Sequence, residues 1–127
     1  VGKIEHDHTS CGIFSTSDYR AKENVLSISD GITRLKTLKP YKFNFKADPS
    51  TTLDGFFAHE VSSAVPEAVD GEKDELYTEA YHGYKEGDEK IQTLDPAKLV
   101  PLLTAALKDV LTKVETLEAK VSALEGS

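Results

Sequence analysis

Val100–Leu124, reading VPLLTAALKDVLTKVETLEAKVSAL, carries the longest periodic signal in the chain. Val100, Leu107, Val114 and Val121 recur every seven residues, and Leu103, Val110, Leu117 and Leu124 follow each of them by three. That alternation lays one apolar seam along a helix, the a and d positions of a heptad repeat. Upstream, Asp95 fits an N-cap and Pro96 the first helical position, so 95–127 is expected to form one long helix. Lys113 with Glu118, and Lys120 with Glu125, occupy the g and e positions whose ion pairs join neighbouring strands of a parallel coiled coil. Four heptads in register predict an intersubunit coiled coil. The competing reading is a long amphipathic helix packed on its own domain, which Ala106 and Leu111 favour because they widen the stripe. β-Branched residues at a with Leu at d lean toward two strands on packing grounds.

Outward from that helix the pattern breaks into short pieces. Ile91–Leu94 reads as a short strand. Residues 70–90 turn acidic and carry Gly71, Gly83 and Gly87. Tyr77, Tyr81 and Tyr84 stand there at i, i+4 and i+7, the spacing of one helical face. This region is expected to protrude, with the tyrosines either forming an exposed patch or packing back on the domain. Leu53–Val61 reads as an apolar strand running into a helical turn that Pro66 ends. Asp48-Pro49-Ser50 is expected to turn the chain. Tyr41, Phe43 and Phe45 alternate with Lys42, Asn44 and Lys46, a half-buried strand. Ser29 and Asp30 are N-cap types ahead of Ile32, Leu35 and Leu38, a short helix that Pro40 stops. Residues 17–28 are charged and helix-compatible, and 1–16 read as strand or loop. The fold class is α+β: a small mixed domain of short strands and helices followed by a long C-terminal helix.

Composition narrows the function. The formal net charge of −7 comes from 22 acids against 15 Lys and Arg that form no basic stripe, which argues against nucleic-acid and anionic-membrane partners. No apolar run approaches the ~20 residues of a membrane span. Cys11 is the only cysteine, so no internal disulfide can form and a cytoplasmic assembly site is expected. Nothing near Cys11 would activate it as a nucleophile. His6-Asp7-His8 puts two imidazoles on one face of a strand, but two ligands do not make a site, and no metal or other cofactor is expected. With Val1 in place of an initiator Met, the chain reads as a piece of a longer polypeptide.

The chemistry-bearing stretch is Ser17-Asp18-Tyr19-Arg20-Ala21-Lys22-Glu23-Asn24. A serine hydroxyl needs a base to become a nucleophile, and a lysine kept neutral by burial can be that base. Five residues on a straight helix point about 140° apart, so Ser17 and Lys22 can meet only if Ser17 precedes the helix or a neighbouring chain supplies one of them. By spacing alone, Ser17 as an N-cap and Lys22 as a solvated side chain is the favoured reading of the stretch.

SDYRAKENV resembles the S-D-x-R-x-K-x-N opening of the peptidase S74 family, the intramolecular chaperones at the C-terminus of phage tail spikes, tail fibres and neck appendages. The short helix ending at Pro40, the aromatic strand Tyr41–Phe45 and Gly55-Phe56-Phe57-Ala58-His59-Glu60-Val61 follow in the family's order. The last stretch is similar to its G-x-x-A-[QH]-E-[VL] motif, and Pro66 and a closing helical stalk come after it.

The resemblance implies an autoproteolytic chaperone. Residues 1–16 would be the end of an upstream fibre or spike body, 17–94 the chaperone core with its cleavage site, and 95–127 a trimeric coiled coil. Cleavage would fall between Thr16 and Ser17, with Ser17 as nucleophile and Lys22 as general base. Asp18, Arg20 and Asn24 would support the site. At His59 the family more often carries Gln, which implies a hydrogen-bonding role over proton transfer; Glu60 would orient a partner or cap a turn. The implied partners are two further copies of the chain and the fibre body as folding client. The implied location is the host cytoplasm during phage assembly, with the released fragment absent from the mature virion. A non-cleaving trimerisation module and a receptor-binding tip retained on the fibre are the alternatives.

Overall fold

The computed structural model describes residues 2–6 and 11–127, with side chains from residue 13 onward. The His6-Asp7-His8 pairing and the Cys11 thiol lie outside the described residues. Gly2–His6 (β1) pairs antiparallel with Cys11–Ser15 (β2), with Ile4 opposite Ile13. A 3₁₀ turn, Tyr19–Ala21, follows. The helix-compatible stretch 17–28 forms only this turn, and the chain then runs irregularly to Asp30. Asn24, at φ 52°, is the reason. The left-handed region cannot continue a right-handed helix, and Asn tolerates it better than most residues do.

Gly31–Leu35 (α1) begins after Asp30, whose side chain makes no capping hydrogen bond. Tyr41–Phe45 (β3) and Asp48–Gly55 (β4) form a hairpin with Tyr41 opposite Gly55 and Phe43 opposite Leu53. The chain reverses at Lys46 and Ala47, two residues before the expected Asp48-Pro49-Ser50, which instead opens β4. Pro49 is tolerated there because it stands near the start of its strand. Phe43 is the half-buried residue of β3 and lies so close to Gly55 that a Cβ there would sit 2.8 Å from the ring. Ala58–Val61 (α2) is the helical turn expected after that strand. Val69–Asp70 (β5) and Thr93–Leu94 (β6) pair as a two-residue ladder.

Between β5 and β6 the tyrosine segment is an irregular hairpin, not a helix. Leu76 bridges Glu89, and Tyr81 bridges Tyr84. Tyr77 stacks on Tyr84 at 4.6 Å and on Tyr81 at 6.3 Å. The helical spacing was coincidental: Gly83 and Gly87, both at positive φ, and His82 at φ 44° turn the chain where a helix would have continued.

A 3₁₀ turn, Pro96–Leu99, leads into Val100–Glu125 (α3). Asp95 caps it by accepting from the Ala97 N–H at 3.1 Å. The core is small: Val61, Ala64, Val65, Ala68, Leu99 and Leu102, with Leu38, Phe56, Val69 and Leu94 packed around it. Ala106 is fully buried one turn beyond Leu102. α3 and the turn that leads into it therefore do pack on their own domain, but through Leu99, Leu102 and Ala106, which are not a or d residues. All eight a and d residues are solvent-exposed in the single chain, from Val110 at 39% to Leu124 at 75%. Gly31 is where α1 crosses α3: a Cβ there would lie 2.8 Å from the Ala106 backbone nitrogen. Among the described residues, no helix is long and apolar enough to cross a membrane.

Candidate functional site

The 3₁₀ turn brings the two chemistry-bearing residues together. Asp18 sits at its N-cap with extended backbone and accepts from the Arg20 N–H at 2.9 Å. The Arg20 guanidinium folds back on the same carboxylate, Nε to Oδ1 at 3.0 Å and Nη2 to Oδ2 at 2.8 Å. That bidentate fork holds the Asp18 carboxyl below the usual carboxylate range and raises the Arg20 guanidinium. The Ala21 N–H donates to the Asp18 carbonyl and the Lys22 N–H to the Tyr19 carbonyl, both at 3.1 Å, closing the turn.

Ser17 thus leaves one side of a single tight turn and Lys22 returns on the other. Lys22 Nζ lies 2.9 Å from Ser17 Oγ. The geometric objection that a straight helix would separate these residues is met by the short turn. As an ammonium, Nζ donates to Oγ; as a neutral amine, it can accept the hydroxyl proton across the same distance. Both side chains are exposed in the single chain. Thr16 connects Ser17 to β2 and is also exposed.

The remaining candidates are distributed elsewhere. Asp18 is engaged by Arg20 rather than by Lys22. Asn24 makes no hydrogen bond to the pair and acts on the backbone, through its left-handed conformation. His59 lies on α2, its ring stacked 5.9 Å from Phe57. Glu60 accepts the Tyr41 hydroxyl at 3.0 and 3.2 Å, which raises the phenol above its ordinary value, helped by partial burial and the nearby negative charge. Tyr41 also packs on Phe57 at 5.0 Å. These contacts tie α2 to the β3–β4 hairpin, and none reaches Ser17 or Lys22. Among the described residues no three His, Cys, Asp or Glu side chains gather as a metal site.

The sequence reading did not single out Gly31, Leu102 or the Tyr41–Glu60 pair. A glycine directly after an N-cap residue was the available sign of a close helix crossing. The other two depend on contacts that are distant along the chain.

Two comparisons bear on this arrangement. A solved structure described as a novel intramolecular chaperone matches with a TM-score of 0.53 at 19% identity, covering 76% of this chain and 99% of its own. That likeness establishes the shared fold. No curated protein matches the chain. The model of the peptidase S74 family, chaperone of endosialidase, matches residues 17–70, which begin at Ser17 and run through the Ser17–Lys22 turn, α1, the β3–β4 hairpin and α2 to β5. Over residues 17–70, then, the chain is similar to the peptidase S74 family of chaperones.

Proposed function

We propose that this chain is an intramolecular chaperone that assembles three copies of an upstream phage fibre or spike and then cuts itself off between Thr16 and Ser17. The carrying observation is the 2.9 Å approach of Lys22 Nζ to Ser17 Oγ at the start of the family match. In the cleavage step the neutral Lys22 amine takes the hydroxyl proton as Ser17 Oγ attacks the Thr16 carbonyl carbon. The C–N bond to Ser17 breaks, the Ser17 nitrogen leaves protonated, and an ester joins Oγ to Thr16. Water then hydrolyses that ester, freeing the Thr16 carboxylate and restoring the serine hydroxyl. Tethering gives the nucleophile an effective concentration on the order of 10⁵ M or more in good geometry, enough for a single turnover at a modest site.

Assembly supplies the control. A neutral lysine is favoured by a dry environment, and Lys22 is exposed in one chain. Packing of three chains would provide the missing burial, so that cutting reports completed assembly. Release of the chaperone would then leave the fibre kinetically trapped. The exposed seam on α3 supports the assembly half of this reading, and the Lys113–Glu118 and Lys120–Glu125 offsets support parallel chains. Residues 1–16 would belong to the released body and 17–127 to the chaperone, formed in the host cytoplasm and absent from the finished particle. Intact mass and N-terminal sequence of a longer chain carrying this domain, beside Ser17→Ala and Lys22→Ala, test the reading. A new N-terminus at Ser17 only with both residues present is the expected result. An uncut wild-type trimer would instead identify a permanent trimerisation cap.

A further inference from the structure

The extended segment after the Ser17–Lys22 turn carries apolar side chains that its own chain leaves uncovered. Val25 is 77% exposed, Leu26 90% and Ile28 37%. Among the described residues no backbone hydrogen bond pairs residues 25–29 with another strand. Their place relative to α3 is defined at two points. Gly31 lies on Ala106, and Ser29 lines a groove with Asp109, Thr112 and Lys113. In the heptad frame set by Val100 and Leu103, Leu99, Ala106 and Lys113 are g positions, whereas Leu102 and Asp109 are c positions. The chain's own domain therefore sits on the g flank of the seam, and the 25–30 segment lies at about the level of residues 109–113.

In a parallel coiled coil, the g flank of one helix faces the e positions of the next. The e residue following Ala106 by five is Leu111, which is 53% exposed and outside the a/d seam. From this juxtaposition we propose that Val25–Ile28 of each chain docks on Leu111 of the neighbouring copy. The occupant is a second copy of this chain because the offsets match. Lys113 at g finds Glu118 at e across the same flank, and Leu111 is the e residue one heptad earlier. The contact also gives the trimer a route to the cleavage site, since Val25 follows Lys22 by three residues. A neighbour seated on Val25 and Leu26 would exclude water beside the Ser17–Lys22 turn. This inference rests on the parallel assembly proposed above and specifies which surface of the neighbour completes the site.

Site-directed cross-linking tests it on the full-length chain in a Cys11→Ser, Ser17→Ala background, which removes the native thiol and keeps the chain uncut. Val25→Cys, Leu26→Cys or Ile28→Cys is combined with Leu111→Cys, with each single-cysteine variant alongside and Leu117→Cys as the seam control. The expected result is oxidative linkage between chains in at least one double variant, absent from the corresponding singles, together with linkage of the seam control. Seam linkage without any 25–28 to 111 linkage would overturn this docking and leave the assembly reading intact. Loss of both would overturn the two together. As a functional readout, Leu111→Glu in the cleavable chain should retain the trimer yet slow cutting at Ser17. Unchanged cutting in a retained trimer would contradict the coupling.

Discussion

The two halves of α3 are built alike and used differently. From Val100 to Val110 the helix serves two surfaces: Leu102 and Ala106 are buried in its own domain, while Val100, Leu103, Leu107 and Val110 face solvent. From Leu111 to Glu125 every residue is exposed. Val114, Leu117, Val121 and Leu124 are all exposed. An isolated helix of about fifteen residues is marginal in water, because nucleation is costly and propensity alone repays it weakly. The first half can thus be held by the domain, whereas the second half needs partners to be stable. On the proposed function, folding of the domain and assembly of the chains would meet along a single helix, the first on the c/g side and the second on the a/d side.

The largest effect should come from damaging the surface that only the first half has. Leu102→Ala opens a cavity in a core of few residues and should lower stability by about 2–5 kcal/mol, read by chemical denaturation. Gly31→Val, whose Cβ would meet the Ala106 backbone at 2.8 Å, should be comparably damaging because neither backbone can give way cheaply. If both variants unfold at wild-type denaturant concentrations, the first half does not depend on its own domain and the contrast between the halves collapses.

Leu117→Glu attacks the second half alone. It should abolish the proposed trimer in sedimentation equilibrium and reduce helical circular dichroism, while the core around Val61 and Leu102 stays folded by amide exchange. Asp95→Ala removes the cap of the 3₁₀ turn that leads into the shared helix and should cost about 1 kcal/mol, read by chemical denaturation.

The smallest effect concerns the Ser17–Lys22 turn, the proposed cleavage site, which lies outside either half. Arg20 depresses the Asp18 carboxyl, so the folded value is below the unfolded one. The Asp18 contribution is thus fully present above the ordinary carboxylate value of about 3.9 and is lost as the pH falls through the depressed one. Because the pair is exposed, the effect on global stability should be slight. Arg20→Ala should move the Asp18 carboxyl titration, followed by NMR, up toward the ordinary value. An unmoved titration would mean the fork is absent in solution.

Much of this was legible in the sequence for identifiable reasons. The heptads of α3, the Asp95-Pro96 start and the alternating aromatics of β3 are local patterns, and local patterns determine local elements. The Ser17–Lys22 pair was legible as a motif, while its geometry depended on a turn too short to have periodicity. Tyr77, Tyr81 and Tyr84 misled because helical spacing also arises by chance in a hairpin, and the glycines between and after them carried the better signal. The Leu99–Leu102–Ala106 face was hidden by the a/d stripe beside it. Two adjacent apolar faces read in sequence as one wide one, and only the fold separates the side used within the chain from the side left open.

If Ser17 and Lys22 act together to cut the chain, as proposed, the cleavage product itself carries the signature. A longer chain carrying this domain should yield, by intact mass, a body ending at Thr16 and a fragment whose first residue is Ser17. Ser17→Ala and Lys22→Ala should each leave the chain whole while preserving the trimer. A wild-type chain that stays whole as a stable trimer, or a Lys22→Ala chain that cuts at the wild-type rate, would rule out cleavage by this pair.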